Sequence, residues 1–292
     1  MSKTNKPKVC VLLASYNGES HIEEQIHCIL NQIDVDIDLY VSDDSSSDTT
    51  NIILKNIASK FNNIKVSILD KNIGAARNFY YLIANAPTKY DYFSLSDQDD
   101  IWFHDKLIHA IKVLEKTDSF GYSSDFFYTS KKKTIKYFKK SYPQKKYDFL
   151  FEAPGPGCSF LIKKELFFSL KKFILSNNLL NNFKWHDWLI YSFARKQGFK
   201  WIIDDNAKFI YRQHYSNLVG VHSGFKASYE RFLKIAKGDW KKDIYLLHRI
   251  LSYDLNNLRF YRLIIFNFLN CRRKFIDCIF LFLFIPLFII QG

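Results

Sequence analysis

Three carboxylates lie within four residues in the segment 96–100, which reads Ser-Asp-Gln-Asp-Asp. Asp97, Asp99 and Asp100 follow a short apolar run, residues 92–95, that predicts a buried strand. Carboxylates this close repel one another, so a fold keeps them together when a positive charge compensates. A hard divalent cation, Mg²⁺ or Mn²⁺, prefers carboxylate oxygens and often shares its shell with a substrate phosphate. A solvated acidic turn or a helix N-cap is the alternative that the cluster alone leaves open.

Three other polar segments carry side chains that suit a ligand site. Residues 43–48 (Asp-Asp-Ser-Ser-Ser-Asp) follow a predicted strand, where an aspartate suits a base N–H or a ribose hydroxyl. Asp187 opens a predicted helix, and a carboxylate stabilised by the helix dipole can act as general base on a sugar hydroxyl. In the run 211–214, His214 can complete a metal shell and Arg212 can pair with phosphate. Helix capping or a structural role is the alternative for each segment.

The elements that would position these side chains alternate along the first hundred residues. Such alternation predicts an α/β layer with a mostly parallel sheet, in which ligands bind beyond the carboxyl ends of the strands. The loops 15–19, 43–48 and 97–100 should therefore meet. The predicted strands are 9–14, 37–41, 64–69, 92–95, 158–162 and 201–203, and the predicted helices are 22–30, 49–59, 72–86, 164–175 and 187–196, with a helical region from about residue 225.

The overall composition and charge indicate which classes of molecule the chain is expected to bind. The chain has 292 residues and a formal net charge of +13, which indicates an anionic partner. The lysines are scattered and Arg-rich stripes are absent, so we expect no nucleic-acid partner. Five cysteines without a CxxC pair and a polar N-terminus without a visible signal peptide predict a cytoplasmic protein.

The C-terminal segment 278–290 is apolar throughout and contains Pro286. It is shorter than the roughly 20 residues that span a bilayer. Arg272, Arg273 and Lys274 precede it, and basic helices followed by an apolar stretch are typical of an interfacial anchor on anionic lipid. A buried C-terminal helix or a contact in a homo-oligomer is the alternative. We therefore predict two regions, 1–222 and 223–292, the second of them helical and membrane-associating.

In this order the segments resemble family 2 inverting glycosyltransferases of the GT-A fold. The similarity is to the bacterial rhamnosyltransferase-like branch that builds surface polysaccharide, and it covers roughly residues 8–221. It implies a Rossmann-like, mostly parallel sheet flanked by helices, with a C-terminal helical extension. The motifs that carry the resemblance are 14–18, 42–46, 72–74 with 77–78, 96–102 with 105–107, 157–158, 186–188 and 211–214.

The resemblance also implies a role for individual residues. Asp97-Gln98-Asp99 would be the DXD motif that holds Mg²⁺ or Mn²⁺. Asp99 would be the principal metal ligand, and Asp97 and His214 would be the other ligands that the protein supplies. Asp187 stands at the family's catalytic base, although His186 replaces the Glu that often precedes it, and Tyr215 replaces the Gly that often follows the histidine. The residues implied to bind the nucleotide sugar are Ser15, Tyr16, Asp44, Arg77, Asp97 and Trp102.

The function implied is transfer of a sugar, with inversion, from dTDP-rhamnose or a UDP-hexose to a lipid-linked or polysaccharide acceptor. This step would serve O-antigen or capsule synthesis, with the protein peripheral on the inner face of the cell membrane. The alternative is a catalytically inactive GT-A-like scaffold that binds partners at the membrane. Intact Asp44, Asp97, Asp99 and Asp187 favour the enzyme.

Overall fold

The structure is a computed structural model and describes residues 6–129, 134–213, 239–252 and 257–283. His214, the predicted boundary at 222/223 and the end of the apolar tail lie outside these residues. The strands are β1 (Lys8–Ser15), β2 (Asp36–Asp43), β3 (Ile64–Ile68), β4 (Tyr92–Ser96), β5 (Ile101–Trp102), β6 (Gly121–Ser124), β7 (Phe126–Thr129), β8 (Ile135–Phe138), β9 (Leu161–Lys163), β10 (Trp201–Asp204) and β11 (Phe209–Tyr211). The helices are α1 (Ile22–Leu30), α2 (Thr50–Ala58), α3 (Ala75–Asn85), α4 (Lys106–Thr117), α5 (Lys164–Ser176), α6 (His186–Lys196), α7 (Asp239–Ile250), α8 (Asn257–Asn267) and α9 (Phe275–Leu283).

The predicted mostly parallel sheet is confirmed. It has seven strands in the order β10-β6-β9-β4-β1-β2-β3, and β1 pairs in parallel with both β2 and β4. Only β9 runs against its neighbours among these described strands. Residues 9–13 of β1 are fully buried, and they alternate between the two hydrophobic cores on the two faces of the sheet. Cover on both faces explains why this strand is apolar throughout.

Four shorter strands form a second sheet in the order β5-β11-β7-β8. β5 follows the acidic cluster directly and pairs antiparallel with β11. This pairing brings Arg212 to the acidic cluster, where its Nε donates to the Asp99 carbonyl at 3.1 Å and its Nη2 pairs with Glu24 at 2.7 Å. Arg212, which is predicted to pair with phosphate, therefore lies beside the DXD segment, although its guanidinium is already paired with the Glu24 carboxylate.

The prediction of a strand over 158–162 is wrong at its start. Residues Gly157–Ser159 form a 3-10 turn, and β9 begins only at Leu161. The Pro156 carbonyl accepts hydrogen bonds from both the backbone N–H and the hydroxyl of Ser159, at 3.0 and 2.7 Å. This local bonding removes Cys158 from the ladder and leaves it fully buried behind the acidic cluster.

The described C-terminal helices pack onto the same core as the sheet. Members of that core from this region are Ile244, Leu247, Ile250, Leu251, Ile264, Cys271 and Leu281. Between α8 and α9, Arg273 is 5% exposed and pairs with Asp148 and Glu152, each at 3.2 Å. The expectation that Arg273 attracts anionic lipid is wrong, because two carboxylates inside the protein already neutralise its charge. In the described part of the chain, each helix is too short or too polar to cross a membrane.

Removing this buried cation should destabilise the fold. We expect Arg273→Met to lower the free energy of unfolding by about 3 kcal/mol, near the lower end for breaking a buried ion pair, because Arg195 still pairs with Asp148 at 3.1 Å. Lys274→Met is the matched control, since the Lys274 ammonium lies over the Tyr142 ring at 4.9 Å and has no ion-pair partner among the described residues. Urea unfolding curves of both variants measure the difference; equal midpoints would contradict the assigned role.

Candidate active site

The Asp43 carboxylate links the loops that follow β1 and β2 by hydrogen bonds. Its carboxylate accepts hydrogen bonds from the Ser15 hydroxyl at 2.8 Å and from the backbone N–H and hydroxyl of Ser46 at 2.8 and 2.6 Å. Ser46 Oγ in turn accepts the Asn17 N–H at 2.8 Å. Ser15 is therefore buried and supports the loop, while its neighbour Tyr16 is 46% exposed at the rim. A direct donor contact of Tyr16 or Ser15 stays a prediction.

Asp44 connects the same edge to the next loop. Its two carboxylate oxygens accept the backbone N–H groups of Ile73 and Gly74 at 2.7 and 2.8 Å. Gly74 has a φ of 88°, a conformation that favours glycine, and it immediately precedes α3. Asp44, which is predicted to bind the nucleoside, therefore also orders the loop before α3. Arg77, on the first turn of that helix, is exposed.

Gln98, the middle residue of the predicted DXD motif, holds the loop after β1 against the acidic cluster. Its side-chain amide accepts the Tyr16 N–H at 2.8 Å and donates to the Tyr16 carbonyl at 3.0 Å, so both backbone polar groups of Tyr16 are hydrogen-bonded to Gln98. A Cβ on Gly18 would overlap this amide, so the glycine makes the approach possible. This role of Gln98 is not predicted from the DXD motif, although the residue stands between two metal-ligand candidates.

The acidic cluster lies at the carboxyl end of β4, as predicted. Asp99 and Asp100 are 8% and 1% exposed, and Asp97 is half-buried. Burial raises the pKa of Asp97 to about 7, with further contributions from the negative charges of Asp99 and Asp187. Burial and then Asp97 and Asp99 raise the pKa of Asp100 well above its ordinary range. Ionising these groups together is therefore costly without an added cation.

Lys106 is the basic residue close enough to the cluster for the charge of Asp100 to act on it. Its ammonium lies 3.4 Å from the centroid of the Trp102 ring, and burial lowers its pKa to about 7. Trp102 is itself 3% exposed. The Trp102 indole is thus buried with the Lys106 ammonium on one face of its ring, and its implied role in donor binding stays a prediction.

Asp187 is placed next to the DXD segment by α6. Its negative charge raises the pKa of Asp97, and its Oδ1 accepts the Trp188 N–H at 2.8 Å. His186, which opens α6, stacks on Phe79 with ring centroids 4.1 Å apart. A Cβ on Gly157 would overlap the His186 imidazole, so Gly157 allows the helix start to approach the sheet. Sequence reasoning missed this pairing of residues 157 and 186, which are distant along the chain.

The carboxylates fit a divalent cation. Asp97, Asp100 and Cys158 each place one ligand atom so that all three atoms lie within 4.8 Å of one another. The carboxyl group of the buried Asp100 accepts a hydrogen bond from the Cys158 thiol. Asp99 lies close enough for its charge to raise the pKa of both Asp97 and Asp100. A cation here would compensate charges that Lys106 alone does not balance.

Comparison with known proteins agrees with this geometry. Residues 10–172 match the family model "Glycosyl transferase family 2". The chain is 41% identical over 250 residues to a dTDP-rhamnosyl transferase, RfbG, of Shigella flexneri, covering 83% of this chain and 85% of that protein. It is 32% identical over 119 residues to a putative teichuronic acid biosynthesis glycosyltransferase, TuaG, of Bacillus subtilis, covering 40% and 46% of the two chains.

Solved structures share the fold. The crystal structure of S. aureus TarS 1-349 aligns with a TM-score of 0.60 at 16% identity, over 90% of this chain and 73% of that one. The mannosyltransferase PcManGT from Pyrobaculum calidifontis, in complex with GDP-Man and Mn²⁺, aligns with a TM-score of 0.55 at 15% identity, over 99% and 87%. The fold is thus that of GT-A glycosyltransferases. With the family model covering more than half of its length, the chain belongs to glycosyl transferase family 2 and is a rhamnosyltransferase-like glycosyltransferase.

Proposed function

We propose that this glycosyltransferase moves a sugar, with inversion and with Mg²⁺ or Mn²⁺, from a nucleoside diphosphate sugar to a saccharide acceptor. The observation that carries the proposal is the position of Asp187, whose charge reaches Asp97 at the end of β4. The cluster of carboxylates that would hold the cation and the separate carboxylate that would act as the base then lie in a single site. The similarity to the dTDP-rhamnosyl transferase supports dTDP-rhamnose as donor, with a UDP-hexose as the second candidate.

The nucleotide would bind along the edge formed by the loops after β1, β2 and β3. Asp43, Asp44 and Gln98 bond these loops to one another, so Tyr16 is held in place before the donor arrives. Arg77 lies exposed at the N-terminal end of α3, where a helix terminus and a cation both favour a diphosphate. Such preorganisation reduces the ordering cost of binding.

The chemistry assigned to the residues is a single displacement. Asp187 accepts the proton of the acceptor hydroxyl as that oxygen attacks the anomeric carbon, and the bond to the nucleoside diphosphate breaks on the opposite side. Asp97 and Asp99, with His214 as a predicted third ligand, would hold the cation, which when bound neutralises charge on the leaving diphosphate. Because no enzyme nucleophile takes part, the anomeric configuration inverts.

The proposed activity is tested by incubating the full chain with dTDP-rhamnose, UDP-glucose, UDP-galactose or GDP-mannose, Mn²⁺ and a lipid-linked saccharide. We expect nucleoside diphosphate release that depends on both donor and metal, with a product of inverted configuration by NMR. An inactive scaffold, the alternative, would bind a donor without releasing the nucleoside diphosphate. Release from GDP-mannose alone would redirect the donor assignment.

We also propose that the protein docks on an anionic membrane surface on the inner face of the cell membrane, where a lipid-linked acceptor would be met. The support is an exposed apolar surface on α8, α9 and the turn between them. Phe268 of the turn packs on Phe282 of α9 with ring centroids 4.9 Å apart, so these elements adjoin. The exposed members of this surface are Ile265, Phe266, Leu269, Phe275, Ile276, Phe280, Phe282 and Leu283.

The membrane proposal predicts the effect of changes within this surface. Phe266→Ser with Phe275→Ser should lower the bound fraction on vesicles of phosphatidylglycerol several-fold, because each exposed phenylalanine contributes apolar area to the interface. Leu175→Ser is the control, since Leu175 is also an exposed apolar residue, with 64% exposure on α5 against 77% for Phe266 and 68% for Phe275. Sedimentation of the full chain with vesicles measures the difference. Unchanged binding together with loss of a dimer in light scattering would assign the surface to a homo-oligomer.

A further inference from the structure

Residues 134–147 form a cationic surface with no acidic residue among them. The segment contains β8 and the loop that follows it, and it carries five lysines. Lys274 joins them, because its ammonium lies 4.9 Å from the centroid of the Tyr142 ring and 6.0 Å from that of the Phe138 ring. We call this set the lysine surface, and its members are Lys136, Lys139, Lys140, Lys145, Lys146 and Lys274.

The lysine surface lacks counter-charges among the described residues. None of its ammonium groups lies within ion-pair distance of a carboxylate there. The two arginines beside Lys274 differ, since Arg273 pairs with Asp148 and Glu152. Arg272 lies 3.8 Å from Glu152. The lysines therefore carry the positive charge that this side of the molecule offers to a partner, and repulsion between them favours an anionic ligand.

Buried groups fix the backbone that carries these lysines. The fully buried Asp125 carboxylate accepts hydrogen bonds from the Lys140 N–H and from the N–H and hydroxyl of Ser141, the latter two at 2.7 and 2.8 Å. Further along the loop, Arg195 Nη2 donates to the Lys145 carbonyl at 3.0 Å. A ligand therefore meets an ordered surface and does not have to order this backbone as it binds.

The lysine surface adjoins the exposed apolar surface of α8, α9 and the turn between them. The Tyr147 N–H donates to the Asn270 carbonyl in that turn at 3.0 Å. Lys274 is followed directly by Phe275, which is 68% exposed at the start of α9. A cationic surface beside an exposed apolar one suits an anionic bilayer, whose headgroups contact the lysines while its acyl region contacts the apolar side chains.

We propose that the lysine surface binds the anionic headgroups of the bilayer on which the apolar surface docks. This inference rests on the membrane docking proposed above, and it assigns the electrostatic part of that docking to β8, its following loop and Lys274 rather than to Arg272 and Arg273. It also gives the docked protein an orientation. The charges of Arg273 and Asp187 both act on the Lys140 ammonium, so the lysine surface lies near the proposed base and docking turns the acceptor side of the site to the bilayer.

Vesicles of two compositions separate the two surfaces. The test variant of the full chain replaces four exposed or half-buried lysines: Lys136→Gln, Lys139→Gln, Lys146→Gln and Lys274→Gln. It should bind phosphatidylglycerol vesicles at least about 10-fold more weakly than the unchanged protein, since each lysine near an anionic bilayer contributes about 5-fold. Binding to uncharged phosphatidylcholine vesicles depends on the apolar surface and should not change. Added salt should weaken phosphatidylglycerol binding less in the variant, because screening acts on exposed charges.

The control variant removes the same number of charges at the other edge of the seven-stranded sheet. It replaces four exposed lysines on and around α2 and β3: Lys55→Gln, Lys60→Gln, Lys65→Gln and Lys71→Gln. We expect it to bind both kinds of vesicle as the unchanged protein does. A loss in the control equal to that in the test variant would show that net charge alone sets the binding, and would overturn the inference.

Other outcomes distinguish this inference from the docking on which it rests. If the test variant binds phosphatidylglycerol as well as the unchanged protein does, while Phe266→Ser with Phe275→Ser still lowers binding, the apolar docking stands and the role of the lysine surface fails. An equal loss on both kinds of vesicle would also overturn the inference, because the lysines would then not select anionic headgroups. Unchanged vesicle binding together with lost binding of polygalacturonate would reassign the lysine surface to an anionic polysaccharide. An unchanged protein that binds neither kind of vesicle would reject both proposals.

Discussion

Asp187→Asn should lower turnover by about 10²–10⁴-fold, the range for loss of a general base. Asparagine keeps the shape of the side chain and its oxygen can still accept the Trp188 N–H, so the start of α6 should be preserved. What is lost is the capacity to accept the acceptor's proton. Because Asp187 lies on α6 and the nucleotide loops follow β1, β2 and β3, the donor dissociation constant should change little.

The measurement is a pair of titrations, one of initial rate and one of donor binding. Asp205→Asn is the matched control, because Asp205 is an exposed aspartate on the loop after β10 and should leave both quantities unchanged. Rate loss without loss of donor affinity assigns Asp187 as the base. A collapse of donor affinity in Asp187→Asn would instead make it a binding or structural residue.

Asp99→Ala should abolish transfer and remove metal-dependent nucleotide binding while the fold survives. The contact of Asp99 with Arg212 uses the backbone carbonyl, which alanine keeps, so the link between the two sheets should remain. Loss of one carboxylate also removes a charge that raises the pKa of Asp97 and Asp100, which favours stability of the metal-free protein.

Three observations check this prediction. Donor binding followed by calorimetry should depend on Mn²⁺ in the unchanged protein and not in Asp99→Ala, and thermal unfolding of the two should agree within a few degrees. Ser67→Ala, an exposed change on β3, serves as the control. Equal transfer by the unchanged protein in EDTA and in Mn²⁺ would show that the carboxylates act without a metal.

Much of the fold follows from local patterns. The continuous apolar run of β1 and the helical spacing of Ile22, Ile26 and Ile29 each repeat a geometric period, so neighbouring residues alone identify the element. Parallel pairing of β1 with β2 and β4 then puts the loops after them on one edge. The position of the acidic cluster at the end of β4 was predictable for this reason.

The α/β sheet, the strand ends that carry polar residues and the family resemblance are predictable from the residues alone, because these depend on short-range periodicity and motif order. Packing of the whole chain is needed to place Trp102 under Lys106, to pair Arg273 with Asp148 and Glu152, and to bring Cys158 to the acidic cluster. Each depends on burial and on charges brought together from distant segments. A local pattern shows that a side chain is polar, whereas its partners depend on how the whole chain packs.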